Sequence, residues 1–490
     1  MNDKSDQLAK GLRQSLSRTL LCLAAGALCV LPTLANDFNR GPLLLISSPN
    51  PLAGCDDGLH PGEANSIKAA GEPFVAVNPA NPKNIVAAWI GGYAQSIIAG
   101  VSFDGGKRWQ QVAIPGITVC SGGPSLGAAD PWVSFAPNGD CYVLCHPFAP
   151  GAITVNKSSD GGLHWSAPIF LADVTAGPHD QADKPSLTAD PTDARLVYAV
   201  WNRDDSGNRG QALFTRTTNG GQTWEPVRVI YDPGAANNGT LGHIINVLPG
   251  GTLVDVFTEF KFSDDGTHKG ALLSVIRSTD QGQSWSALIR AATIPVFSVA
   301  DVDTGVPVVN SSSCCPNPAV AMDSNNGNLY VAWEDTRFSS GQYSSIAFAM
   351  STDGGLTWST PIQVNRTPTT TAPGNRQAFV PDIAVAANGT IAVTYYDFRF
   401  NDANPGLPTD YWLVHCHPSA ATPATNPANW GNELRLSDAS FDLERGLSFG
   451  GAYFLGDYVG LASAGNDFVS AFTQSDPTNL TSIFFRRVGP

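Results

Sequence analysis

Basic residues are scarce in this 490-residue chain, where 28 Lys and Arg stand against 42 Asp and Glu. A formal charge of −14 argues against nucleic acid or an anionic membrane as partner, since the field of the whole protein opposes either. An anionic ligand would need a local cluster of Arg or Lys. Also lacking are a P-loop, a dinucleotide fingerprint, a Cys-x-x-Cys pair and a His-Glu-x-x-His helix, so the usual phosphate, nicotinamide and zinc signatures are missing. No Gly-x-Ser elbow stands between a strand and a helix. Heptads, long amphipathic helices and linkers are absent too, which points to a single domain over residues 36–490.

Only one long apolar run occurs. It spans Leu20 to Leu34, follows Lys4, Lys10, Arg13 and Arg18, and ends in Thr33-Leu34-Ala35. A spanning helix needs roughly 20 apolar residues, and this run is shorter. Residues 1–35 therefore read as a secretory signal peptide, predicting a soluble protein, periplasmic or extracellular, with no membrane span. Leu52-Ala53-Gly54-Cys55 has a lipobox-like sequence but lies far beyond the apolar core. Removing the signal leaves 24 basic against 40 acidic residues, a net charge of −16.

Seven cysteines remain, at 55, 120, 141, 145, 314, 315 and 416. An odd number leaves at least one unpaired within the chain. Cys141 and Cys145 share one face of an expected strand about 13 Å apart, too far to bond. Cys55 with Cys120, or Cys314 with Cys315, could form disulfides; buried free thiols are the alternative.

What the sequence does contain is repetition. Ser102-Phe-Asp104-Gly-Gly106-Lys-Arg-Trp109 recurs, with small changes, ending at Trp165, Trp224, Trp285 and Trp358. The Asp or Asn of each copy can accept backbone N–H bonds inside a turn, and the glycines supply positive φ. The motif is similar to the Asp-box (BNR) repeat of sialidase-like β-propellers. That resemblance implies hairpins joining the third and fourth strands of each blade.

A second repeat lies upstream of each box and continues past the last. It pairs two apolar strands across a turn, from Phe74–Val77 with Ile85–Trp89 through to Val459–Ala462 with Phe468–Phe472. Seven copies are present. The chain is thus predicted to be all-β, a seven-bladed propeller, with six blades as the runner-up. The last unit is one strand short, and Leu43–Ser47 is expected to complete it.

In such a propeller the boxes lie on one face, and the family resemblance places a site on the other. Two residue sets are expected there. Glu72, Asp130, Asp183 and Asp457 come immediately before the innermost strands, with His243 in the equivalent place of the fourth blade. Asp130, Asp183 and Asp457 could hold calcium; capping of loops is the plainer alternative. At the ends of the second strands come Arg203, Arg337, Arg399 and, in the fourth blade, Glu259. These arginines, with Arg376, could converge on a ligand carboxylate, or the repeated Asp-x-Arg could be a structural salt bridge.

Resemblance to sialidases further implies a Tyr nucleophile paired with Glu. Glu259 with Tyr395, Tyr396 or Tyr458 are the candidates, Asp183 is a further catalytic candidate, and an acidic residue would be the proton donor. The first blade reads Gly71-Glu72-Pro73-Phe74, without the arginine motif of that family. Three functions stay open: an exo-glycosidase acting on an acidic sugar, a uronic-acid polysaccharide lyase using His179, His243 or Tyr458 as base, and a non-catalytic propeller binding carbohydrate or protein. A monomer directed at a glycan is expected.

Overall fold

The repeats fold into antiparallel sheets around a channel. The computed structural model describes residues 38–490 apart from 56–68, 93, 149–151, 173–180, 205–209, 235–237, 263–267, 296–297 and 309–316. Within the described residues of Asn39–Gly489, seven blade sheets follow in sequence order, five of four strands and two of five. Their innermost strands are Ala70–Val77, Ala128–Phe135, Gln181–Ala189, Asn238–Val247, Ala319–Met322, Ala378–Val385 and Gly460–Ala464. Each packs against the innermost strand of the next blade, and the seventh packs against the first, so the ring closes at seven. The expected signal peptide and Cys314-Cys315 lie outside the described residues.

Second strands are buried on both faces, because every blade is wedged between two others. All seven residues of Ile85–Gly91, Leu329–Asp335 and Ile391–Asp397 are buried. A continuous apolar run, rather than alternation, is the pattern such a position demands.

The seventh blade is completed from the other end of the fold. Asn39 and Arg40 pair with Gly489 and Val488, and Leu44 and Leu45 pair with Phe485 and Phe484. Of the expected Leu43–Ser47 strand, Leu44–Leu45 is present and is prolonged by a bond from Ile46 N to the Ile483 carbonyl, while Asn39–Arg40 adds a second short piece ahead of it. Closing a ring in this way removes the exposed sheet edge that would otherwise invite pairing with another chain.

Each box turn joins the third and fourth strands of its blade. In the first, Ser102 Oγ donates to Asp104 Oδ1 at 3.0 Å and accepts from Gly106 N at 2.9 Å. Asp104 Oδ1 in turn accepts from Lys107 N and Arg108 N. Its Trp packs between blades rather than between strands: Trp109 lies on Phe485 and Trp285 on Phe214 of the preceding blade. The second glycine is held for two reasons. At Gly282, φ is 85°, and a Cβ there would come within 2.4 Å of the Phe214 ring. The box is thus a latch onto the neighbouring blade.

Gly282→Ala should destabilise the fold by about 2–4 kcal/mol, combining a left-handed residue with overpacking. Gly250, with open space around its Cα, is the control. Equal denaturation midpoints for Gly282→Ala and Gly250→Ala would show that the latch is not under this constraint.

Candidate active site at the channel mouth

In an antiparallel blade the third strand ends, and the box begins, at the face opposite to the start of the innermost strand. That start is where one backbone feature recurs. Register shifts fall between Gly71 and Phe74, Ala129 and Trp132, Asp183 and Ser186, Leu241 and Ile244, and Phe379 and Asp382. At each bulge a residue takes positive φ: Glu72 at 52°, Asp130 at 53°, Lys184 at 45°, Gly242 at 66° and Val380 at 47°. Non-glycine residues pay roughly 1–2 kcal/mol each for that conformation, and such strain gathers at functional sites.

The bulges bring blades 1, 2, 3 and 7 together in one cluster. Lys184 Nζ lies 3.0 Å from Asp130 Oδ1 and 3.3 Å from Asp183 Oδ1, and it also pairs with Asp457. Glu72 Oε2 accepts from Asp130 N, and its Oε1 from Asp457 N, both at 3.1 Å. His146 Nδ1 stands 3.7 Å from Asp130 Oδ2. The acids expected immediately before the innermost strands are, in blades 1 to 3, inside them; pairing continues beyond the bulge, as Ala70 with Gly91 and Ala129 with His146 show.

Electrostatics divide these carboxylates. Burial works against ionisation of Asp130, but the Lys184 ammonium and then His146 outweigh it and hold the carboxyl well below its usual range. Glu72 goes the other way, pushed well above the ordinary value by burial and then by Asp130 and Asp457. Asp183, a third of whose side chain is exposed, is raised by burial of its carboxyl and by Asp130 and Asp457, with Lys184 opposing. The four acids hold the Lys184 charge well above its usual pKa against the cost of its burial.

These groups line a pocket of about 320 Å³. Its remaining walls are apolar, with Ile90, Phe148, Leu447, Phe449 and Phe454 among them, and no arginine lines it among the described residues. Asp130, His146 and Asp183 present ligand atoms within 4.8 Å of one another, as do Glu72, Asp130 and Asp457. The ammonium of Lys184 already serves as the internal cation of both groups.

Other candidate residues sit elsewhere. Glu259 is buried in the fourth blade, where its partners are Tyr231 at 3.3 Å and Ser274 at 3.4 Å. Tyr396 is a core residue whose hydroxyl donates to the Thr473 carbonyl and accepts from Thr473 N. Tyr395 bonds Glu433 and Arg366 N. Tyr458 lies beside the acid cluster, but its hydroxyl donates to the Pro131 carbonyl, and burial, then Glu72, push the phenol well above its usual value. His243 is fully buried, 2.8 Å from Asp255 and stacked on Phe257. His179 lies outside the described residues.

The arginines are engaged within the framework. Arg337 pairs with Asp335, and Arg399 with Asp397 and Glu433. Arg203 bonds Gln211 in the next strand of its own blade, and Arg376 bonds the carbonyls of Thr371 and Thr369.

Two residues of the cluster, Lys184 and His146, are not among those picked from the sequence. A signal for the first was present. Glu72-Pro73, Asp130-Pro131, Lys184-Pro185, Asn317-Pro318 and Val380-Pro381 repeat at or just before the start of the inner strands, and aligning on the proline puts Lys184, not Asp183, in register with Glu72 and Asp130.

No family model and no curated protein matches the sequence. Among solved structures, the chain is similar to a protein of unknown function from Dyadobacter fermentans, at 13% identity over 93% of this chain and 100% of that one, with a TM-score of 0.48. A Hadza microbial sialidase matches at 16% identity over 67% of this chain and 63% of its own, TM-score 0.44. An α-L-arabinofuranosidase from Fusarium graminearum matches at 15% over 73% and 92%, TM-score 0.44. These likenesses assign no residue here.

Deeper in the channel, Asp382 has its carboxyl pushed up to about 8 by burial, against bonds from Ile383 N and Leu461 N. Between about pH 4 and 8 the native protein keeps a proton that the unfolded chain releases. Stability from this group is therefore full below pH 4 and declines up to pH 8, by about 1 kcal/mol per unit. The melting temperature of the wild type should fall more steeply from pH 5 to pH 8 than that of Asp382→Asn; parallel profiles would mean that Asp382 is ionised in the native state.

Proposed function

We propose that the chain is an exported glycoside hydrolase acting on a neutral sugar, with Asp130 and Asp183 as its carboxylate pair. The observation that carries this reading is two neighbouring carboxyls pushed in opposite directions within one apolar-walled pocket. Pairs of titratable groups held apart in this way take the acid and base roles. Asp130, kept anionic by Lys184, attacks the anomeric carbon; the acid form of Asp183, favoured by the upward shift of its carboxyl, gives its proton to the departing oxygen. The anomeric carbon–oxygen bond breaks as the Asp130–sugar ester forms. Asp183, now a carboxylate, then takes a proton from the water that cleaves the ester. Contact within 4.8 Å fits the closely spaced, retaining arrangement rather than the wider inverting one.

The charge of the pocket supports a neutral substrate. Its one lysine is already engaged by acids of blades 2, 3 and 7, and the arginines that might have received the carboxylate of a sialic or uronic acid bond groups in their own blades and loops. Calcium has no part in the reading, because the Lys184 ammonium supplies the counter-charge. Export is supported by the signal-like N-terminus and by the Cys55–Cys120 disulfide, and no described helix is long and apolar enough to cross a membrane.

The test is release of 4-nitrophenol from a panel of neutral aryl glycosides, with sialic- and glucuronic-acid glycosides for comparison. Asp130→Asn and Asp183→Asn should each lose about 10²–10⁴-fold in kcat, and azide should restore turnover to Asp183→Asn when the leaving group is good. Hydrolysis of the acidic glycosides alone removes the neutral-sugar assignment; no release from any glycoside removes the hydrolase.

Lys184 generates a separate expectation. Lys184→Met removes the charge that lowers Asp130, so the acidic limb of kcat/KM should move to higher pH, while a chelator should leave wild-type activity unchanged. An unmoved limb, or activity lost on chelation, would count against an internal counter-ion.

A further inference from the structure

The pocket extends beyond the acids, and its outer walls have a composition that the hydrolytic step does not require. Phe148 is 47% and Phe449 55% exposed, among the most exposed large apolar side chains of the fold. Both line the acid pocket. They come from opposite neighbours of the first blade. Phe148 follows the second strand of blade 2, and Phe449 belongs to the short hairpin Ser448–Phe449 with Ala452–Tyr453 that precedes blade 7. Ile90 and Ala94 of blade 1 line the same pocket. The result is an apolar cleft over that blade with an aromatic ring contributed from each side and the carboxylates at its inner end.

Each ring is fixed by its backbone. Phe148 N donates to the Gly127 carbonyl, and a Cβ at Gly127 would come within 2.6 Å of the ring. The hairpin turns tightly through Gly450 and Gly451, both at positive φ, as a two-residue loop requires. Its base is tied by Phe454 N to the Leu447 carbonyl and by Tyr453 N to that of Pro307. Phe454 in turn packs against Gly71, one residue from Glu72, where a Cβ would meet its ring at 3.2 Å. The hairpin is therefore built onto the bulge of blade 1 that carries Glu72.

We infer that Phe148 and Phe449 form a subsite for a second, neutral sugar ring of the substrate, so that the protein recognises an oligosaccharide and not a single glycosyl unit. This deepens the hydrolase reading and rests on the same pocket. A pyranose or furanose ring offers apolar C–H faces to an aromatic wall and hydroxyl edges to water. An uncharged sugar suits both parts of the pocket, its C–H faces packing on the apolar walls and its hydroxyls free to bond the carboxyls at the inner end.

The experiment measures binding, so that it does not depend on turnover. Calorimetric titration of Asp183→Asn with neutral trisaccharides (arabino-, xylo-, galacto-, manno- and gluco-configured) and with the matching monosaccharides should give at least one trisaccharide that binds about tenfold or more tightly than its monosaccharide. Phe148→Ala and Phe449→Ala, each added to Asp183→Asn, should weaken that trisaccharide by about tenfold or more, and Phe449→Tyr should restore it. Unchanged melting temperatures establish that the exposed substitutions leave the fold intact. Trisaccharide affinity equal to that of the monosaccharide, no binding across the panel, or indifference to both phenylalanine substitutions overturns the subsite. Tight, phenylalanine-dependent binding in a wild-type protein that hydrolyses nothing keeps the subsite and removes the hydrolase.

Discussion

Seven innermost strands turn one edge each toward a common channel, and no eighth strand is there to pair with those edges. Backbone N–H and C=O groups facing a narrow channel must find partners or carry the cost of desolvation. Side chains of adjoining blades supply them here. Glu72 accepts from Asp130 N and Asp457 N, Asp382 from Leu461 N, and Glu334 from Val380 N. Ser186 and Thr188 donate to the carbonyls of His243 and Ile245. Carboxylates are suited to this because one group can serve two amides on different blades, as Glu72 does.

That structural need also creates the chemistry. Carboxyls brought in to satisfy backbone amides are buried near one another, which raises some and, once a lysine is added, lowers others. The same bulges that aim Glu72, Asp130 and Lys184 inward also let the inner strands continue past the distortion. A functional pocket at this mouth thus grows out of the way the ring solves its own edge problem, with the apolar loops above it adding selectivity. The box turns, at the opposite face, have a different role: they clamp each of blades 1 to 5 to its predecessor.

Much of this was legible in the amino-acid sequence. Box and inner-strand repeats announce the propeller, and the seventh unit without a box still announces its blade. The missing strand could be sought at the other end of the chain because the last unit ran out early. Site residues were harder to read, for a physical reason. Second strands are buried on both faces, so Tyr396 and Glu259 show no alternation that separates a core residue from a channel residue, and residue type alone made them candidates. Asp-x-Arg recurs at strand ends whether it binds a ligand or braces a loop. Lys184 was concealed by standing next to Asp183, and His146 by lying in a strand chosen for its cysteines.

The pairing of Asn39 and Arg40 with Gly489 and Val488 has a consequence for how the chain reaches its native state. During synthesis the first strand to appear is the last to find its partner, since some 450 residues separate the two. Intermediate blades can form their own hairpins as they emerge, but the ring cannot lock until the final segment arrives. Until then the early strand is a solitary edge, able to pair with another chain as readily as with its own. Premature release from the ribosome, or truncation of only the last few residues, would leave nearly all of the hydrophobic core assembled and yet the circle open, so the most damaging lesions for this architecture are those at its seam.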